Sequence, residues 1–172
     1  MKQKITPTSV EKVMRDDDFI VSKTDPKGRI IYGNRIFVEF SGWSESELIG
    51  AQHNIIRHPD MPRAVFKLLW DTIQGGQECN AYVKNMAKDG SFYWVFANVT
   101  PSYDKDGKNI GFFSVRRKPK PSALKTVADL YRAMLDAEQR AGPRDAIAAS
   151  SRILTQLLTE KGMSYEELVL AI

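Results

Sequence analysis

The run His53-Asn54-Ile55-Ile56-Arg57-His58-Pro59-Asp60-Met61-Pro62 gathers a guanidinium, two imidazoles and a carboxylate into one proline-bounded stretch. Arginine offers a planar fork that suits oxyanions, so Arg57 with His58 forms a candidate anion-binding pair. Alternatively, Arg57 and Asp60 pair with each other and only hold the loop in shape. His53 and His58 are also the only imidazoles available as axial ligands to a bound metal. Farther along, Asn85 and Asn98 fall on adjacent expected strands, and each amide presents both a donor and an acceptor. The plainer reading leaves both on the outer face of a sheet. Trp70 and Trp94 offer flat faces for stacking, or simply fill the core.

Other chemistries lack their parts. Gly75-Gly76 is not followed by the lysine and helix of a phosphate-binding loop. No His/Cys cluster has zinc spacing. Asp16-Asp17-Asp18 reads as a charged cap before the first strand. No nucleophile–base pair stands out, so the sequence does not read as an enzyme. The single Cys79 permits no internal disulfide and fits a reducing compartment.

These residues need a scaffold, and 172 residues suffice for one ordinary domain with an appendage. No run approaches the roughly 18 apolar residues of a membrane span, and the N-terminus has no apolar signal core. The expected location is the cytoplasm. The net charge of +4 is spread along the chain, its densest cluster being Arg116-Arg117-Lys118 with Lys120 at the end of an expected strand. A nucleic-acid module would show a basic stripe with a recognition motif, so no nucleic-acid partner is expected.

Strand signals dominate before Pro119–Pro121 and helix formers after it. Phe19–Thr24 and Arg29–Tyr32 flank the turn Asp25-Pro26-Lys27-Gly28 and predict a hairpin. Asn34–Phe40 has helical spacing, and Ser44 to Glu47 is a capping box closed by Gly50. Ala64, Val65, Leu68, Leu69 and Ile73 predict an amphipathic helix stopped at Gly75-Gly76. Asn80–Met86, Phe92–Pro101 and Ile110–Val115 predict three strands in a meander. The fold class is therefore α+β, a five-stranded antiparallel sheet with helices over one face and a pocket between. Beyond the KPKPS linker, Ala123–Ala141 and Ala146–Glu160 predict helices separated by Gly142-Pro143. Ser164 to Glu167 opens a short last helix. The tail is too small for its own core and is expected to pack on the sheet or on a second copy. The expected organisation is an N-terminal cap (1–18), a sensor domain (19–118), and a linker with helical extension (119–172).

This element order resembles a PAS domain. The string from His53 to Pro62 is similar to the signature of the aerotaxis-receptor (Aer-type) PAS group. The match continues through Phe66, Trp70, Val83-Lys84-Asn85, Asp89-Gly90, Tyr93-Trp94-Val95 and Ala97-Asn98, covering roughly residues 17 to 118. The resemblance implies non-covalent FAD between helices and sheet, and a redox or oxygen report to a downstream signalling protein. It places flavin contacts at Arg57, His58 and Asp60, and further ones at Asn34, Phe66, Trp70, Asn85, Trp94 and Asn98. Receptors of that group continue into membrane and chemotaxis signalling regions, which this sequence does not show.

On that reading the asparagines serve the flavin's mixed hydrogen-bonding edge, the tryptophans flank the ring, and Arg57 with His58 meets the pyrophosphate. The tail then transmits the signal, as a helical relay or through a homodimer interface. Two alternatives stay open: a haem-binding PAS sensor using His58 or His53, and a cofactor-free interaction module. The adduct-forming cysteine of light-sensing LOV domains precedes their long helix. The comparable stretch Asn54-Ile55-Ile56-Arg57 has none.

Overall fold

The computed structural model describes residues 5–172; the first four residues of the expected N-terminal cap lie outside them. Five strands form one antiparallel sheet: β1 (Phe19–Thr24), β2 (Ile30–Gly33), β3 (Cys79–Met86), β4 (Phe92–Tyr103) and β5 (Asn109–Arg117). The spatial order is β2-β1-β5-β4-β3, so the first and last strands of the chain pair at the centre. Between β2 and β3 come α1 (Arg35–Ser41), α2 (Glu45–Leu48), a 3-10 turn (His53–Ile56) and α3 (Arg63–Gln74). After β5 follow α4 (Pro121–Lys161) and α5 (Tyr165–Ala171).

Local chemistry accounts for most boundaries. In the β1–β2 hairpin the Asp25 carboxylate accepts from the Lys27 and Arg29 amides, and Gly28 supplies the left-handed φ of 77°. The Asn34 side chain accepts from the Phe37 amide and caps α1. Capping boxes open α2 at Ser44–Glu47 and α5 at Ser164–Glu167. The expected break in the tail falls at Gly142, whose φ of 76° and ψ of 171° interrupt α4 immediately before Pro143.

Register decides which side chains meet. Pairing of Asn85 with Tyr93, Asn98 with Val115 and Ser22 with Ser114 puts Ser22, Asn85, Ser114 and Arg116 on one face. Lys84, Trp94, Phe96 and Asn98 alternate onto the other. The buried cluster joins Ile20, Ile30, Phe37, Val65, Ala81 and Val95 under the helices to Val127, Tyr131 and Met134 of α4. The tail packs chiefly along α3 and the free edge of β3, rather than across the sheet as a separate layer. Tyr131 Oη donates to the Tyr82 carbonyl at 2.6 Å, and the Lys84 amide meets Met61 Sδ, so this edge is covered.

Candidate functional site

The sheet face carrying Asn85 and Arg116 curves under α3 and the 3-10 turn and encloses a cavity of about 1010 Å³. That volume lies at the upper end of the roughly 300–1,000 Å³ typical of small-molecule sites. The sheet wall includes Ser22, Thr24, Val83, Asn85, Phe112 and Arg116. The 3-10 turn and the loop after it give His53, Ile56, Arg57 and Met61, and α3 gives Phe66, Leu69, Trp70 and Ile73. The remaining wall comes from α4, through Leu135, Glu138, Ala146 and Ile147 around the Gly142 break.

Four of the nine residues singled out by the resemblance meet here: Arg57, Phe66, Trp70 and Asn85. The Arg57 guanidinium lies 4.4 Å from the Phe66 ring centre, an arrangement that aligns it without neutralising it. Trp70 stands edge-on to Phe112, with centroids 5.5 Å apart. Asn85 is 4% exposed, its backbone bridges Arg57, and its side-chain amide, on the cavity lining, has no hydrogen-bond partner among the described residues. An amide open to the cavity, on a wall that mixes Val83 and Phe112 with Ser22, Thr24 and Arg116, fits a ligand with a mixed donor–acceptor edge.

The other five lie outside the cavity lining. Asn34 is committed to the fold: Oδ1 accepts from the Val21 and Phe37 amides, and Nδ2 donates to the Phe19 carbonyl. Trp94 faces the opposite side of the sheet and stacks on Tyr131. Asn98 donates to Glu78 and to Asn80, each at 3.0 Å. His58 and Asp60 shape the loop: the Asp60 amide donates to His58 Nδ1 at 3.0 Å, and Lys84 pairs with the Asp60 carboxylate at 2.7 Å. Because His58 Nδ1 is an acceptor and burial lowers the ring's pKa, its approach to the Asp60 carboxylate is not an ion pair. The loop is thus clamped by Asp60–Lys84, not by an Arg57–Asp60 pair, which leaves Arg57 to the cavity.

The fold also assembles a group whose members no spacing in the sequence joins. Ser22 Oγ lies 3.0 Å from His53 Nε2, Arg116 Nη1 lies 3.3 Å from the same nitrogen, and Arg116 Nη2 donates to Ser22 Oγ. Such a serine–imidazole contact could be taken for a nucleophile and its base. Burial, with the Arg116 cation beside it, pushes His53 down to about 3, so the ring cannot take the hydroxyl proton at neutral pH. The signal for this group was present in the period of β5. Phe112, Ser114 and Arg116 alternate inward, while the adjoining Arg117 and Lys118 made Arg116 look like surface charge.

Comparison with known proteins agrees with this geometry. The family model described as the PAS fold matches residues 30–116. The chain is 36% identical over 149 residues to the aerotaxis receptor of Escherichia coli K12, covering 87% of this chain and 27% of the receptor. It is 32% identical over 88 residues to the bacterioopsin transcriptional activator of Halobacterium salinarum, covering 51% of this chain and 13% of that protein. Among solved structures, the light state of the blue-light photoreceptor Aureochrome1 LOV superposes with a TM-score of 0.56. It is 23% identical and covers 66% of this chain and 90% of that one. A PAS domain from Colwellia psychrerythraea gives a TM-score of 0.54 at 20% identity, covering 59% of this chain and 86% of that one. The chain thus spans about a quarter of the receptor it resembles in sequence, and the solved structures speak to the fold. The antiparallel sheet, the helix-covered cavity, the matching family model and the 36% identity to the receptor have one common explanation: this chain belongs to the PAS family, as a PAS domain of the aerotaxis-receptor type.

Proposed function

We propose that the chain is a flavin-binding signal sensor that holds FAD non-covalently in the cavity and reports redox or oxygen status through its helical tail. The observation that carries this reading is the Asn85 side-chain amide, without a partner among the described residues, in a cavity also lined by Trp70, Phe66 and Arg57. A flavin supplies a redox group whose hydrogen-bonding edge differs between its two states. Asn85 would hold that edge, Trp70 and Phe66 would bound the ring, and Arg57 would reach the phosphates. Residues 19–118 would form the sensor and 119–172 the transmitting extension.

Transmission has a short path in this fold. α4 forms part of the cavity wall, so a change in ligand or side-chain position reaches the tail without crossing the sheet. The proposed setting is cytoplasmic, with a downstream signalling protein as partner and a homodimer as the working form. Among described helices none is long and apolar enough to cross a membrane. Binding rather than catalysis is proposed because His53 lacks the basicity to activate Ser22. The haem alternative meets an obstacle, since His58 lies outside the lining and His53 Nε2 already faces a cation and a hydroxyl.

An absorption spectrum of purified protein, with chromatography of the released chromophore, tests the reading. Bands at about 370 and 450 nm with FAD released support it. A sharp Soret band, or a protein that stays colourless after FAD is added, refutes it.

A further inference from the structure

Arg116 is 2% exposed, and every contact it makes is to a neutral group. These are the Ser22 hydroxyl, unprotonated His53 Nε2, and the Phe37 ring at 4.7 Å. Nε finds no acceptor among the described residues. Burial lowers its pKa to about 10, which leaves the side chain cationic at neutral pH. No described carboxylate forms an ion pair with it. Buried guanidinium groups are nearly always paired, because desolvation of a lone charge costs several kcal/mol. On the same face of β1, two residues from Ser22, the buried Thr24 hydroxyl also has no partner among the described residues, and both Thr24 and Arg116 line the cavity. His53 cannot supply the missing charge, since it accepts from Arg116 as a neutral ring. A buried cation with no counter-ion among the described residues, on a residue that lines the cavity, describes a receptor missing its anion.

We propose that Arg116, positioned by Ser22 and His53, is an anion-accepting corner of the cavity, and that the bound ligand places a negative charge against it. This deepens the flavin reading and rests on it for the ligand's identity, though not for the corner itself. Two sources of negative charge exist on that ligand: its phosphates, and the ring when it gains electrons or a nucleophile without a matching proton. Both require the same receptor chemistry.

The test compares wild type, Arg116→Met and Arg116→Lys by three measurements. Binding of FAD and of riboflavin, which has the ring without phosphate, is measured by fluorescence. Sulfite is titrated against the bound, oxidised flavin: its sulfur lone pair bonds to a ring nitrogen, and the displaced electron pair leaves a negative charge on the ring while absorbance near 450 nm bleaches. Thermal unfolding of ligand-free protein is followed with and without inorganic phosphate at constant ionic strength. If the corner receives ring charge, R116M weakens sulfite addition about tenfold or more while R116K retains most of it. If it receives phosphate, R116M instead removes the preference for FAD over riboflavin. Flavin and sulfite binding equal to wild type in R116M overturn the proposal. A wild type that binds no flavin refutes only the flavin reading; phosphate must then raise the melting temperature of wild type and not of R116M. An equal response in both, or ligand-free R116M melting far below ligand-free wild type, makes Arg116 a structural strut and overturns the proposal.

Discussion

Replacing Glu138 by alanine removes the carboxylate that fastens the tail to the cavity. Glu138 is 8% exposed, and its Oε1 accepts from the Arg63 amide and from the Ser150 hydroxyl, both at 2.7 Å. Arg63 is the first residue of α3, and the preceding Pro62 provides no side-chain cap. Glu138 is therefore the N-terminal cap of that helix, donated from 75 residues away. Alanine leaves the Arg63 N–H unpaired, costing about 1.5–3 kcal/mol for a charge-assisted bond. Ser150 still has the Ala146 carbonyl at 3.1 Å, so its loss adds only about 0.5 kcal/mol. The sum, about 3 kcal/mol, corresponds to a fall of roughly 6–12 °C in melting temperature for a chain of this length. Glu138→Gln keeps an acceptor in place and should recover at least half. Circular dichroism melts give the size, and amide hydrogen exchange gives the place, with protection lost first at Arg63 and Ala64. A melting temperature within about 1 °C of wild type, or unchanged exchange at Arg63, would mean that Glu138 does not cap α3.

His53 is held near 3 against an ordinary value of about 6.5, so the unfolded chain binds the extra proton between these limits. Stability is then full above about pH 6.5 and falls toward pH 3, by up to about 1.4 kcal/mol per pH unit. Urea unfolding of wild type against His53→Gln checks this; an identical slope in both excludes His53 as the cause. Gly111 has a φ of 143°, and a Cβ there would strike the Thr24 carbonyl oxygen, so Gly111→Ala should destabilise by about 2–4 kcal/mol. A melting temperature equal to wild type would mean that β1 and β5 can part at no cost. Burial raises the Cys79 thiol to about 11, so alkylation by iodoacetamide should be limited by unfolding. Labelling in native buffer as fast as in urea would contradict that burial. Asn85→Ala should lower flavin affinity about tenfold with little change in the melting temperature of ligand-free protein, read by fluorescence and calorimetry respectively.

Much of the scaffold was legible because its signals are local. Asp25 to Gly28, Asn34, Ser44 with Glu47, Gly142 and Ser164 with Glu167 each announce a turn, cap or break through chemistry confined to a few residues. The strands fell within about two residues of expectation because alternation in β4 is long and clear. The site was less legible, because its parts meet only through register. Ser22, His53 and Arg116 come from β1, the 3-10 turn and β5, and no spacing in sequence joins them. Trp94 and Trp70 look alike in sequence, yet strand parity sends Trp94 to the opposite face while Trp70 reaches the cavity. Glu138 was invisible for the same reason: its partners Arg63 and Ser150 lie in two other segments.

The position of α4 changes what signalling demands energetically. A tail attached only after β5 would have to sense the ligand through small shifts of a stiff sheet. Here Leu135, Glu138 and Ala146 are themselves wall, and the segment between them contains the Gly142 interruption. A ligand moves an equilibrium only by its difference in affinity for the two states. When the moving element touches the ligand, that difference is made directly, and about 1.4 kcal/mol already shifts a two-state population tenfold. The Glu138 clasp, worth about 3 kcal/mol, is of the size a ligand on the adjoining wall can offset. If the tail transmits as proposed, two or three altered hydrogen bonds at the wall, each worth about 0.5–1.5 kcal/mol, would suffice to release it.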